Sequence, residues 1–241
     1  MDILIYGTVN SVVFSLIAVG FTLVYGVARV PNFAHGSIYV LVGFLTWSFV
    51  NDLKMNYALA IILSVVIASI VGLLIYRLVL IRLRGMPTSE IISSFAVSLI
   101  ILEGLRMQGI AGFKGFIGPF YTLKPFVEGK ISIAGIFVDY QRLIIIGAGL
   151  GIVILLWIFT HHTKIGLSLR AIAQDERAAM MLGVNSDRTA MISLSIGSAL
   201  AGIAAVTILP LGSVRAEEGY RVLIYALAVC IIGGLGSWGG A

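Results

Sequence analysis

Residues Tyr57 to Tyr76 read YALAIILSVVIASIVGLLIY, twenty positions without a charged side chain. A helix of that length rises about 30 Å, the thickness of a bilayer's hydrocarbon core. The run is continuously apolar, without the alternation expected of a barrel strand. Working outward, Lys54 bounds it on one side and Arg77, Arg82 and Arg84 on the other, and beyond them the pattern recurs. Spans are expected at 3–28, 33–50, 57–76, 91–105, 143–160, 189–211 and 222–236. Two are short. The 91–105 run needs buried flanks or a thinned bilayer, and the last ends in Gly233-Gly234-Leu235-Gly236. The closing Gly239-Gly240-Ala241 has the look of a turn ahead of a further helix, so a truncated C-terminus is expected.

Composition agrees. The 241 residues are 59% hydrophobic and 11% charged, with a mean hydropathy of +1.07. Soluble domains are about half apolar and a quarter charged, and a chain this size cannot hide so much apolar surface from water. The expected fold is therefore all-α, a single polytopic transmembrane helix bundle over 1–241 with the lipid bilayer as solvent. A soluble enzyme, a disulfide-stapled secreted domain and a disordered chain are excluded. The net charge of +5 is spread over many loops without a basic block, so no nucleic-acid partner is implied. The start Met1-Asp2-Ile3 lacks a basic region ahead of the apolar run, which reads as an uncleaved span rather than a signal peptide. Cys230 stands alone in an apolar run, and His161 and His162 have no acidic or Cys partner nearby, so no metal site is expected.

Two connections are long. Residues 106–142 hold Pro119, Pro125 and the alternating Lys130-Ile131-Ser132-Ile133, which reads as a hairpin. Residues 161–188 hold Lys164, Arg170, Asp175, Glu176, Arg177, Asp187 and Arg188. There a helix is expected from about Ser168 to Leu182, stopped by Gly183, with Asn185 capping the next. Counting Lys and Arg on alternate sides gives eight against eight, so positive charge alone does not orient the chain.

Of the 16 Lys and Arg and 11 Asp and Glu, only Glu103 falls within an expected span. Ion-coupled carriers keep ionisable groups at depth, so a self-powered carrier is disfavoured, as is a membrane hydrolase. No Walker sequence is present, and any ATP would be bound by another subunit. Glycines at Gly147-x-x-x-Gly151 and the pair Ser198-x-x-x-Gly202 suit close helix packing.

Three segments carry a resemblance. Tyr25-Gly26-Val27-Ala28-Arg29-Val30-Pro31-Asn32-Phe33-Ala34-His35-Gly36, the loop from Arg170 to Asn185, and Gly233-Gly234-Leu235-Gly236-Ser237-Trp238 together resemble permease subunits of branched-chain amino acid ABC importers. The Asn-Phe-Ala-His-Gly form resembles one of the two paired permeases, and Gln174 and Trp238 depart modestly from the pattern. The resemblance implies a non-enzymatic transport subunit in the plasma membrane of a bacterium or archaeon. It implies a second permease subunit, two cytoplasmic ATPase subunits that bind ATP and Mg, and an extracytoplasmic substrate-binding protein. It further implies that 161–188 is a cytoplasmic coupling loop acting through Arg170, Ala173, Asp175, Glu176, Arg177, Leu182 and Gly183, and that 106–142 is extracytoplasmic. The helix breaks at Asn32, Phe33, His35 and Gly36 and at Gly233 and Gly234 are then candidates for the substrate pathway, offering backbone groups to a zwitterion. The same architecture moving urea or short amides, and an ATPase-independent carrier, remain as alternatives at this stage.

Overall fold

The computed structural model describes residues 2–106, 122–125, 127, 129–133, 136–212, 214–234 and 236. Among these, helices α1 (Asp2–Ala28), α2 (His35–Asn51) and α3 (Tyr57–Ile75) come first. The third runs on through a π-turn at Tyr76–Leu80 to Leu83. Helix α4 (Pro87–Arg106) precedes an antiparallel hairpin of β1 (Lys130–Ile133) and β2 (Ile136–Asp139), with Ile133 paired to Ile136. Then follow α5 (Tyr140–His162), α6 (Lys164–Gln174), α7 (Glu176–Met181), α8 (Ser186–Ile208) and α9 (Glu218–Gly233). The hairpin lies where the alternating sequence places it. The chain is thus an all-α polytopic bundle carrying one small hairpin among the described residues. The 107–121 part of the long loop, Trp238 and the Gly239–Ala241 turn lie outside them.

Among the described residues, five helices are long and apolar enough to cross a membrane: α1, α3 with its extension, α4, α5 and α8. Helices α2 and α9, at 17 and 16 residues, are shorter. Helix α8 lies at the centre, packed on α1, α2 and α3, while α9 closes on α1 and α2, and α5 leans on α1. Burial and hydropathy run opposite to a water-soluble fold. The α1 and α8 spans have mean hydropathies of 2.1 and 1.9 and are 61% buried, whereas α5, at 2.7, is 17% buried. Exposed Leu150, Ile154, Leu155 and Ile158 on α5, and Leu59, Ile62, Val66 and Ile70 on α3, meet lipid rather than water.

Between the central helices the contacts are made by missing side chains. A Cβ on Gly36 would lie 2.0 Å from the Gly219 carbonyl oxygen, so α2 and α9 touch backbone to backbone there. The Ser198–Gly202 pair also packs, Gly202 against Val42 and Ala68. Gly147 and Gly151 do not: a Cβ on either meets nothing within 4 Å, and it is Gly149 that seats Val12 of α1. The expectation for that glycine pair is corrected, because the stripe at 147 and 151 faces away from the neighbouring helix.

Two expected boundaries also move. Helix α4 begins at Pro87 rather than 91, which brings Glu90 into a span as a second carboxylate beside Glu103. Glu90, Ser94, Ser98, Leu102 and Leu105 form its buried stripe, spaced three and four apart so that all face inward. The helix expected over 168–182 is two helices, parted at Asp175.

Candidate functional site: the break after α1 and the clamp at its end of the bundle

Helix α1 stops at Ala28, and Arg29 takes a left-handed backbone (φ +58°), a conformation that costs a non-glycine residue about 1–2 kcal/mol. Pro31 and Asn32 then turn the chain into α2. The Asn32 side chain accepts from the Ala34 N–H at 3.1 Å and its carbonyl accepts from the His35 N–H at 3.2 Å, while the Phe33 N–H donates to Ser94 Oγ at 3.2 Å. The break is therefore internally satisfied at Phe33, Ala34 and His35. Phe33 also meets Phe95 edge-on, with centroids 6.3 Å apart.

The His35 side chain is fully buried among α1 and α8. Its Nε2 donates to the Ile17 carbonyl at 3.1 Å, its ring meets Phe21 edge-on, and Nδ1 has no hydrogen-bond partner among the described residues. A Cβ on Gly20 would stand 3.2 Å from the ring, so a larger residue there would crowd it. Asn32, Glu90 and Ser94 line a cavity of about 20 Å³, room for one water. The second predicted break is at the same end: α9 stops at Gly233, Gly234 has φ +95°, and a Cβ on Gly236 would lie 3.7 Å from Gly26 Cα near the end of α1.

Beside these breaks, the α6–α7 segment that precedes α8 is fastened by two arginines. Arg84, just past the α3 extension, pairs with Glu176 at the start of α7 and with Asp187 at the start of α8, and donates to Ser186 Oγ. Ser186 Oγ in turn donates to Glu176 at 2.6 Å, and Tyr76 OH, in the π-turn, donates to Asp187 at 3.0 Å. Burial by itself lowers the pKa of the Arg84 guanidinium, but Tyr76, Asp187 and Glu176 outweigh it and raise it above its ordinary value. Next along, the Gly85 N–H donates to Glu90 at 3.1 Å, so the clamp adjoins the start of α4. Arg29 donates to the carbonyls of Ala173 and, at 3.4 Å, Gln174, which are the unmade acceptors at the C-terminus of α6.

Of the residues expected to form the coupling loop, Glu176 is held in the clamp. Asp175 caps α7 by accepting from the Ala178 N–H at 3.0 Å, Ala173 is tied to Arg29, and Gly183 supplies a left-handed turn (φ +86°). Asn185 caps α8 as expected, accepting from Arg188 N–H at 2.8 Å. Arg177 and Leu182 are exposed, and Met181 and Leu182, 89% and 85% accessible, form an apolar knuckle pointing away from the bundle. Arg170 instead turns toward α1 and α5, where it lines a cavity. Arg84, Tyr76 and Glu90 were not singled out in the sequence. The dense Arg77–Arg84 cluster was the one available signal, and it does not say which arginine reaches the loop.

A bundle of membrane-length helices with a charged loop clamped at one end has the build of a multi-pass membrane protein. Over residues 3–241 the chain matches the family described as branched-chain amino acid transport system, permease component, and it belongs to that family. It is 28% identical to the high-affinity branched-chain amino acid transport system permease protein BraD of Pseudomonas aeruginosa, over 99% of this chain and 80% of that protein. It is 26% identical to the permease protein LivH of the Escherichia coli system of the same description, over 95% of this chain and 77% of that one. To the autoinducer 2 import system permease protein LsrD of Salmonella paratyphi B it is 25% identical, over 100% and 70%. No solved structure matches.

Proposed function

We propose that this chain is the permease subunit through which an ATP-driven importer moves branched-chain or other hydrophobic amino acids across a prokaryotic plasma membrane. Separate ATPase subunits, which bind ATP and Mg, dock on the α6–α7 loop, a second permease subunit completes the pathway, and a substrate-binding protein docks at the opposite end, where the 106–142 loop lies. That places the α6–α7 end inside the cell and the α1 start outside. The observation that carries this reading is the build of the loop: a charged segment fixed to the span ends by Arg84 and Arg29, with Met181 and Leu182 bare. A surface that is rigidly held and apolar at its tip suits a reversible partner whose movement must reach the spans. The breaks at Asn32–Gly36 and Gly233–Gly234 line the substrate route once the bundle opens, since in the present packing Gly36 meets Gly219 and the cavity at Asn32 admits one water.

The test is reconstitution of the chain, together with the ATPases, second permease and binding protein of its system, in vesicles supplied with ATP. Labelled leucine accumulates in the wild type. Reversing charge together at Asp175, Glu176 and Arg177 abolishes uptake and weakens ATPase retention. A triple variant that keeps its ATPases and normal stimulated hydrolysis overturns the coupling role, and the absence of leucine uptake in the wild type overturns the substrate.

A further inference from the structure

A cavity of about 520 Å³ lies between α1, α5 and α6, on the side of the bundle away from α2 and α3. Its inner wall is hydrocarbon, from Val19 and Leu23 on α1 and Val153 and Leu156 on α5. Its rim is polar and lies in the last turn of the α5 span and on α6, the level of a membrane–water interface. Trp157, half exposed on α5, stacks on His161 with centroids 4.5 Å apart, as interfacial aromatic residues do. Among the described residues lining the cavity none is acidic.

Arg170 stands at that rim. It makes no hydrogen bond or ion pair with the described residues, and its Nε is buried. A guanidinium group with a buried, unmatched N–H is costly unless an anion meets it. His161 spends its Nδ1–H on the Trp157 carbonyl at 2.9 Å, which leaves Nε2 an acceptor, so the donor at the rim for an anion is Arg170. Arg29 nearby spends its donors on neutral carbonyls, so its positive charge is uncompensated among the described residues.

We infer that this cavity is a binding site for an anionic phospholipid, with its phosphate on Arg170 and an acyl chain along Val19, Leu23, Val153 and Leu156. The chemistry is that of a basic pocket between helices at the membrane surface. An apolar slot open beside lipid-facing α5 takes a chain, and the free guanidinium takes the phosphate bidentately. The site depends on membrane placement and not on what the permease carries. Because Arg29 and Arg170 both meet the loop that α6 begins, a bound lipid would brace α6 against α1.

The test uses the full chain in nanodiscs of equal phosphatidylglycerol and phosphatidylcholine, released for native mass spectrometry. The wild type retains one phosphatidylglycerol in preference to phosphatidylcholine. Arg170→Gln retains about tenfold less, the size of one lost charge-assisted contact, and Arg170→Lys retains most of it. Leu156→Trp, which keeps the charge and fills the slot, also loses the lipid. Equal retention by Arg170→Gln and wild type overturns the site, as does equal retention of phosphatidylcholine. Full displacement by millimolar inorganic phosphate, with Leu156→Trp unaffected, also overturns it, because that marks a free-anion site with no acyl slot.

Discussion

At one end of the bundle Arg84 joins Glu176, Asp187 and Ser186 and lies beside Tyr76, binding the end of α3 to the starts of α7 and α8. At the other, Arg106 at the end of α4 reaches Glu103 at 3.3 Å, one turn back on its own helix, and Glu217 at 3.0 Å, just before α9. Both are arginines with two carboxylates, yet the settings differ. The Arg84 side chain is 33% exposed and Ser186 and Tyr76 share its acceptors, whereas Arg106 is 56% and Glu217 71% exposed. An ion pair held in water is weak because screening and side-chain entropy cancel most of the attraction. One held in a network of partly buried hydroxyls loses less to solvent, and its members lean on one another. The difference teaches where the bundle is built to move as a unit with its loop and where charge only decorates it.

The comparison breaks first at Arg84. Arg84→Ala leaves Glu176 and Asp187 facing each other without a cation, and ATP-driven leucine uptake is expected to fall more than about tenfold while the chain still reaches the membrane. Arg84→Lys recovers only part, since one ammonium cannot fork to two carboxylates as a guanidinium does. Uptake per ATPase retained is the measurement. Unchanged uptake in Arg84→Ala removes the distinction between the two ends.

A smaller effect sharpens it. Glu176→Gln and Asp187→Asn each leave Arg84 one carboxylate and should each reduce uptake about threefold. If the two pairs act through one clamp, combining them costs no more than Arg84→Ala alone, and the double variant in an Arg84→Ala background adds nothing further. Strict additivity in the cycle means two independent pairs rather than a clamp.

The spans were legible because lipid leaves no choice: every run must be apolar and its backbone satisfied within the helix. What was hidden depended on tertiary partners. Charge ended the fourth span at 91, but Glu90 lies on the inward stripe with Ser94 and Ser98, so the helix keeps it. The only local break signal in Gln174-Asp175-Glu176 is Asp175, a residue that also occurs inside helices. At the break Arg29, 144 residues earlier, takes the Ala173 carbonyl, which a continuous helix would give to the Arg177 N–H. Asp175 then takes the Ala178 N–H itself. Among the expected site residues, Asn32 and His35 were singled out from a Pro-Asn turn between apolar runs, and they lie at the break between α1 and α2. Arg84 was hidden in a cluster of three arginines, separable only by knowing where Asp187 and Glu176 fall in space.

The least effect is expected at Arg106, and it bears on the comparison from the other side. Arg106→Ala removes two pairs, each worth about 0.2–1 kcal/mol when exposed, and the i,i+3 pair to Glu103 is of the kind that adds only tenths to a helix. Both Glu103 and Glu217 remain hydrated once the arginine is gone, so neither is left as a buried unpaired charge. Uptake should stay within about twofold of wild type, and raising the salt should close even that gap, because screening weakens only exposed pairs to that degree. Arg84→Ala measured in the same salt series should stay defective. A salt response shared by both variants would mean that the Arg84 clamp is as solvated as the Arg106 pairs, and that its extra partners add no protection.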